Sequence, residues 1–336
     1  MRILFLGTGP SFNYKRPGKS LRTNSSIIIK HLGKRILVDC SKDFEKQIKD
    51  SNVENVNALL QTHAHKDAIG GLLQLKKFIK DKNGQDAKVP LYAEREVWDK
   101  VGKQSKEFLD FHEIKPYESF ELFGIKITPI RVKHSIQKGF PTLAFKFEQA
   151  DDSFVYAEDV DSWDEDALKY FKNNDLLIWD GSFWDRVMIP GHRAILKDIP
   201  LLENWNNKKV YFTQLGIKVP NHEEAEKLVK EKAKEINAKT DFNIAYDGEQ
   251  LDVFRIKALT SGDVPIPPAY SYDEPNEKLP GIYLVDKHAK LIWKRKKKEI
   301  VKSVKFEKYV GKQIYLCGDK VYGIITLNAP LTINLD

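Results

Sequence analysis

Four apolar runs in the first 180 residues each end on a side chain that can ligate metal or carry a proton. "VNALLQTH" runs into His63, "TPIRVKH" into His134, "SFVYAED" into Asp159 and "LIWD" into Asp180. Titratable groups gathered at strand ends are the usual way a layered α/β fold builds a site. The flanking pattern agrees. "RILFLG", "NSSIIIK", "KRILVDC", "VPLYAE", "TLAFKFEQ" and "KKVYFTQLG" read as short β-branched or buried strands. "GLLQLKKFIKDK" and "NHEEAEKLVKEKAKEINA" place apolar residues at helical spacing. "SKDFEKQIKDSN" is a further helix, with Ser41 expected as its N-cap. Strands alternating with helices predict a layered α/β architecture.

Near Ala258 the character of the chain changes. "ALTSGDVPIPPAYSYDEPNEKLPG" carries Pro, Ser and acids without helical or strand period and reads as a linker. The expected organisation is a large domain over 1–257, a linker over 258–279 and a small basic β-rich domain over 280–336. About 57 residues is little for an independent β domain, so this part is expected to dock on the first domain or to continue past Asp336.

Charge follows the same division. The net charge is +7, yet residues 278–312 alone hold twelve Lys or Arg against three acids. The large domain is close to neutral, and the excess points to a polyanionic partner for the C-terminal part. Lys294, Arg295, Lys296, Lys297 and Lys298 lie among Trp293, Phe306 and Tyr309. Basic side chains there suit salt-dependent binding of RNA or DNA phosphates, and the aromatics suit stacking on unpaired bases; a solvated strand and loop is the plainer alternative.

Two cysteines, Cys40 and Cys317, make no disulfide framework and fit a reducing, cytoplasmic compartment. The start "MRILFLGTGPSF" reads as a strand and tight turn and not as a signal peptide. No apolar run reaches the ~18 residues of a membrane span, so no membrane partner is expected. No signal sets an oligomeric state.

The strand-end residues belong to an ordered set: "FLGTG", "RTNSSIIIK", "ILVDCSKDFEKQ", "THAHKDAIGGL", "VKHS", "VYAEDV", "WDGSFW", "GHRAI" and "AYDGEQL". Over about residues 1–255 this set resembles the metallo-β-lactamase fold superfamily, in the branch of phosphodiesterases and nuclease-like hydrolases that includes ribonuclease Z. The resemblance implies a four-layer αββα sandwich with metal at the mouth between two sheets. It implies His63, His65 and His134 as the histidine side of the metal site, Asp159 as a bridging aspartate, Asp67 as a ligand of a second ion, and Asp39 as a buried aspartate that orients the His turn. Residues 280–330 loosely resemble the start of an ASCH or PUA-like barrel.

This chain departs from the family pattern at two places. Ala68 stands where a further histidine is usual, and the late His-containing motif is replaced by "FTQLGIK", with Gln214 and Ile217 at the histidine positions. Asp67 and Asp159 alone make a poor zinc site, so one ion is expected. Donor type favours Zn2+, and Mn2+ or Fe2+ fit the same donors. Lys218, beside Ile217, could supply the lost charge.

The implied activity is hydrolysis of a phosphodiester by one metal-activated water, on nucleic acid or a nucleotide-derived substrate. Asp67 would take or orient the water's proton, and His192 in "IPGHRAI" would protonate a leaving group or bind phosphate, with Arg193 beside it. Two other readings stand beside it: a nucleic-acid-binding protein with a degenerate hydrolase core, and a hydrolase of a small ester or lactone. Trp179, Phe183 and Trp184 around Asp180 are read as core before pocket wall.

Overall fold

The solid apolar run of "SIIIKH" needs apolar neighbours on both faces, and the fold supplies them. A computed structural model describes residues 1–10, 16–134, 140–150 and 152–253 in full, and the backbone of three strands beyond them. The chain divides into two compact units, Met1–Phe254 and Arg255–Asp336.

The first unit holds two seven-stranded sheets. One is built from β1 (Arg2–Gly7), β2 (Ser26–His31), β3 (Lys34–Val38), β4 (Ala58–Leu60), β5 (Val89–Ala93), β6 (Leu109–Glu113) and β14 (Gln250–Asp252), in the order β14-β1-β2-β3-β4-β5-β6. The other is built from β7 (Phe120–Leu122), β8 (Ile125–Val132), β9 (Thr142–Gln149), β10 (Asp152–Ala157), β11 (Leu176–Asp180), β12 (Lys209–Thr213) and β13 (Asp241–Ile244), in the order β13-β12-β11-β10-β9-β8-β7. Each sheet is antiparallel on one side and parallel on the other. The change falls at β3, between β2 and β4, and at β10, between β9 and β11.

Alternate residues of each strand enter different cores, as the pleat requires. Ile27 and Ile29 join Phe5, Phe145, Tyr156 and Ile178 between the sheets, whereas Ile28 joins Leu4, Leu37, Leu59 and Leu91 on the outer face of the first sheet. There α1 (Phe44–Asp50), α3 (Leu72–Asn83) and α4 (Arg95–Lys100) cover the strands with Phe44, Leu75 and Val97. On the far face of the second sheet, α6 (Glu165–Phe171), α7 (Ile195–Glu203) and α8 (His222–Glu235) pack on Val155, Leu177, Trp179 and Phe212. The result is the expected four-layer αββα sandwich, and strands covered on both faces explain the near-continuous apolar runs.

Three local readings change. Ser41 does not cap α1, because the helix begins at Phe44 after Asp43, and the Ser41 hydroxyl is hydrogen-bonded to the Gln47 side chain. Helices α6 and α7 carry weak sequence signals. Asp164 caps α6 by accepting from the Ala167 N–H, whereas Pro200 inside α7 obscures its pattern. Trp179 is core: fully buried, it meets Trp163, Phe171 and Trp205 edge-on and donates its indole N–H to Asp198.

In the second unit, β15 (Gly281–Tyr283) runs parallel to β16 (Gln313–Cys317), which pairs antiparallel with β17 (Val321–Thr326). The basic run Lys294–Lys298 lies outside the described residues. Among the described residues, no helix is long and apolar enough to cross a membrane.

Candidate metal centre

Strand β4 is buried along its length and ends at Leu60, so the following Gln61–His65 segment leaves the sheet end directly beside the β3 terminus. Asp39, just after β3, is fully buried and adopts a left-handed φ of 59°. That conformation is costly for a side chain other than Gly, Asn or Asp and recurs at functional sites. Here it turns the carboxylate onto the His turn. Asp39 accepts from the Thr62 N–H at 2.9 Å and the Thr62 hydroxyl at 2.8 Å, and the Gln61 amide also donates to it. With its proton committed to Asp39, Thr62 Oγ1 accepts from His63 Nδ1 at 2.7 Å. The proton of His63 is thereby fixed on Nδ1, and Nε2 becomes a lone pair directed into the site.

The opposite sheet repeats the device. His134 follows β8, and its Nδ1 donates to the Gly191 carbonyl at 2.8 Å. Gly191 has a φ of 111°, and a Cβ there would stand 2.2 Å from the His134 carbonyl, so only glycine allows this approach. His134 Nε2 then faces His65 Nδ1 at 3.1 Å. One ligating nitrogen from each of His63, His65 and His134 lies within 4.8 Å of the others. Phe140 stacks on the His65 ring at 4.3 Å and gives the turn an apolar backing.

Asp159 follows β10 and is 3% exposed. Its oxygens lie 3.6 Å from His63 Nε2 and 3.5 Å from His192 Nδ1. Burial works against its charge, yet the surrounding His134, His63 and His192 and the Gln214 amide hold its carboxyl below the usual range. Burial pushes His63 down to about 3 and lowers His65, so both are neutral imidazoles at physiological pH. Asp67, in the short helix after His65, is raised by burial and by the Asp159 charge.

His192 is held differently. Its Nδ1 lies 2.8 Å from Asp180 Oδ2 and 2.9 Å from Ser182 Oγ. Burial opposes its charge, but Asp180, and behind it Asp159 and Asp67, raise it to about 9. It is an imidazolium pinned by a fully buried carboxylate. His134, Asp159 and His192 also form a second set of possible ligands.

The residues fit a divalent ion on one decisive observation. His63 Nε2 is buried and has no hydrogen-bond partner. An orphaned buried polar nitrogen costs about 1–3 kcal/mol, and a cation shared with His65 and His134 removes that cost. Three neutral imidazoles beside a carboxylate are a donor set for zinc.

Other sequence candidates fall elsewhere. Arg193 is engaged by both oxygens of Asp198 and by the Asp161 carbonyl, so it is not free for phosphate. Ile217 is 52% exposed. His222 opens α8, with its ring edge-on to Tyr246. In the first turn, Gly7 is required by close approach, since a Cβ would stand 2.1 Å from the Asn24 carbonyl, and Thr8 O accepts from the Leu215 N–H. That turn ties loops together. The residues that sequence reasoning passed over are Glu158, which shares a hydrogen bond with Asp39 and accepts from Tyr156 at 2.6 Å, and Ser25, hydrogen-bonded to Gln214. The "AED" step at the end of β10 was the only signal for the former.

Fold and site together define a protein with a metal centre at the mouth of an αββα sandwich. The chain belongs to the β-lactamase superfamily, in its metallo-β-lactamase fold: the model of the β-lactamase superfamily domain matches residues 34–213, more than half of the chain. It is 26% identical over 248 residues to an octanoyltransferase of Porphyromonas gingivalis, covering 67% of this chain and 48% of that protein. It is 26% identical over 148 residues to ribonuclease Z of Methanopyrus kandleri, covering 43% and 49%. The chain thus spans about half the length of these curated relatives. Among solved structures, a diphosphatase from the PhnP family superposes with a TM-score of 0.63 at 24% identity, covering 75% of this chain and 97% of that one.

Proposed function

We propose that this protein is a metal-dependent hydrolase of phosphodiester bonds that works with one ion, on a substrate that is nucleic acid or derived from nucleotides. The observation that carries the reading is the orphaned His63 Nε2, set among His65, His134 and Asp159. The similarity to ribonuclease Z and to a PhnP-family diphosphatase supports a phosphoryl substrate.

His63, His65 and His134 would hold the ion, Zn2+ by donor type, with Asp159 beside them and a position left for water. When bound, such an ion polarises a phosphoryl oxygen and makes hydroxide available near neutral pH. The chain's own residues supply the rest. Asp67 accepts a proton from the attacking water or orients it. His192, kept protonated by Asp180, donates to the departing oxygen or binds the phosphate. Phe140 limits water behind His65. Lys294–Lys298 would add salt-dependent affinity for a nucleic-acid substrate.

The test is hydrolysis of bis(p-nitrophenyl) phosphate by chelator-stripped protein reloaded with Zn2+ or Mn2+. Turnover that returns with the ion, is abolished in His63→Ala and persists in Lys296→Ala supports the reading. Turnover of p-nitrophenyl esters or lactones without diester turnover replaces it with ester hydrolysis. RNA binding that weakens steeply with salt and survives His63→Ala, with no turnover of any kind, replaces it with a binding role.

A further inference from the structure

A small cleft adjoins His63. Asp67, Asp159, Ala68, Gln214 and Ser25 are among its walls. Two carboxylates facing one cleft are the usual invitation to a cation. The Asp67 carboxylate makes no hydrogen bond to any other side chain among the described residues, and it lines the same cleft as Asp159. The third wall is what differs. Gln214 is 3% exposed, so its amide sits in the cleft wall.

The amide has a defined orientation. Gln214 Nε2 donates to Asp159 Oδ1 at 2.7 Å, and Gln214 Oε1 lies 3.1 Å from the Ser25 hydroxyl, which also reaches the Gly9 carbonyl at 3.2 Å. An ionised carboxylate only accepts, so the NH2 end faces Asp159 and the carbonyl end turns to Ser25. A carboxamide has one acceptor end and one donor end, and only the acceptor end can bind a cation. Gln214 therefore puts two N–H groups, each with a partial positive charge, where an ion bridging from Asp159 would need a lone pair. Ala68 offers only a methyl group, and its carbonyl is occupied by the Cys40 N–H and the Gln61 amide.

The backbone shows that this placement is held at a cost. Gln214 adopts a left-handed φ of 57°, in the loop after β12. The Leu215 N–H to Thr8 O bond at 2.8 Å pins the next residue. A residue of this kind in that conformation is strained and persists where the surroundings over-determine it.

We infer that Gln214 is the residue that sets the number of ions: its amide N–H group takes the place of a second divalent cation against Asp159, whose carboxylate orients the amide. The inference rests on the one-ion reading for the count in the native chain. What Gln214 controls is the increment between one ion and two.

Gln214→Glu keeps the length of the side chain and converts the donor end into a carboxylate oxygen. The cleft then has three carboxylates, a donor set for a hard ion such as Mn2+. The experiment loads the full chain with excess MnCl2, removes free ion by gel filtration, and counts bound manganese by mass spectrometry, with Mn2+ paramagnetic resonance in parallel. The native chain is expected to retain one ion per chain with an isolated-ion spectrum. Q214E is expected to retain one more, with an exchange-coupled spectrum, and Q214E/D67N to return to the native count. Gln214→His, which brings a neutral nitrogen donor, is read in the same way should Q214E fail to fold. A native chain that already holds two coupled ions overturns the inference, as does a folded Q214E or Q214H chain that gains none. Ion counts do not depend on turnover: a chain inactive on every diester overturns the hydrolase reading and leaves the increment intact.

Discussion

The two walls of the metal site start from the same kind of strand end and diverge in what they offer a cation. On the His63, His65 and His134 wall, a partner on the outward nitrogen of His63 and of His134 fixes the proton there, and lone pairs point inward. On the Asp67, Ala68 and Gln214 wall, one carboxylate faces the cleft, one position has no donor atom, and the third presents N–H. Both walls contain a left-handed non-glycine residue, Asp39 and Gln214. In one case the strain serves to aim lone pairs at an ion, in the other to fill the place where one would sit. Buried polar residues can build a cation site or close it, and the difference lies in which end of each group faces inward.

The contrast can be broken most severely at the first wall. His63→Ala is expected to abolish retention of the ion, a loss larger than the roughly 10–100-fold that follows removal of a ligand's outer partner. Metal content after gel filtration measures it, and a variant that keeps a full ion would mean the three imidazoles do not act together. Asp39→Asn should weaken the ion by about 10–100-fold through the Thr62–His63 relay, read by competition with a chromogenic chelator. An unchanged affinity would show that Thr62 alone fixes the ring.

A smaller effect on the ion is expected where neither wall is touched. Asp180→Asn releases the charge that holds His192 as an imidazolium, and diester turnover should fall roughly 10–100-fold while ion content stays constant. Equal loss of ion and turnover would assign His192 to the metal set instead.

The smallest effect lies away from the walls. Asp247 accepts from the Thr8 hydroxyl and from the N–H and hydroxyl of Thr23, and burial raises it to about 6. A carboxyl raised in the folded state destabilises the fold once ionised, and this penalty disappears as pH falls below the folded value towards the unfolded one. Asp247→Asn should therefore be more stable than the native chain by about 3 kcal/mol above pH 6, with the gap closing towards pH 4 in urea unfolding. A constant gap across that range would show that the hydrogen bonds, and not the charge, decide this position.

Much of the architecture could be read from the residues. The apolar runs, their punctuation and the helical stripe of α8 indicated layers, and the ordered motifs indicated which layers. The strand-end residues His63, His134 and Asp159 do meet, with His65 and Asp67 beside them. Local signals misled where a side chain had a distant partner. Ser41 looks like a cap but binds Gln47, and Arg193 looks free but is engaged by Asp198. Helix α7 was hidden by Pro200, which is tolerated there because the helix is held by packing against the second sheet.

The sequence by itself determined which donors exist and that two customary ones are absent, because residue identity decides lone pairs. It could not determine where the protons sit or which way an amide points. Those were settled by the partners the fold brings up: Thr62, itself held by Asp39, for His63, Gly191 for His134, Asp159 for Gln214. A hydrogen bond has a direction, and only the folded arrangement of donors and acceptors fixes it.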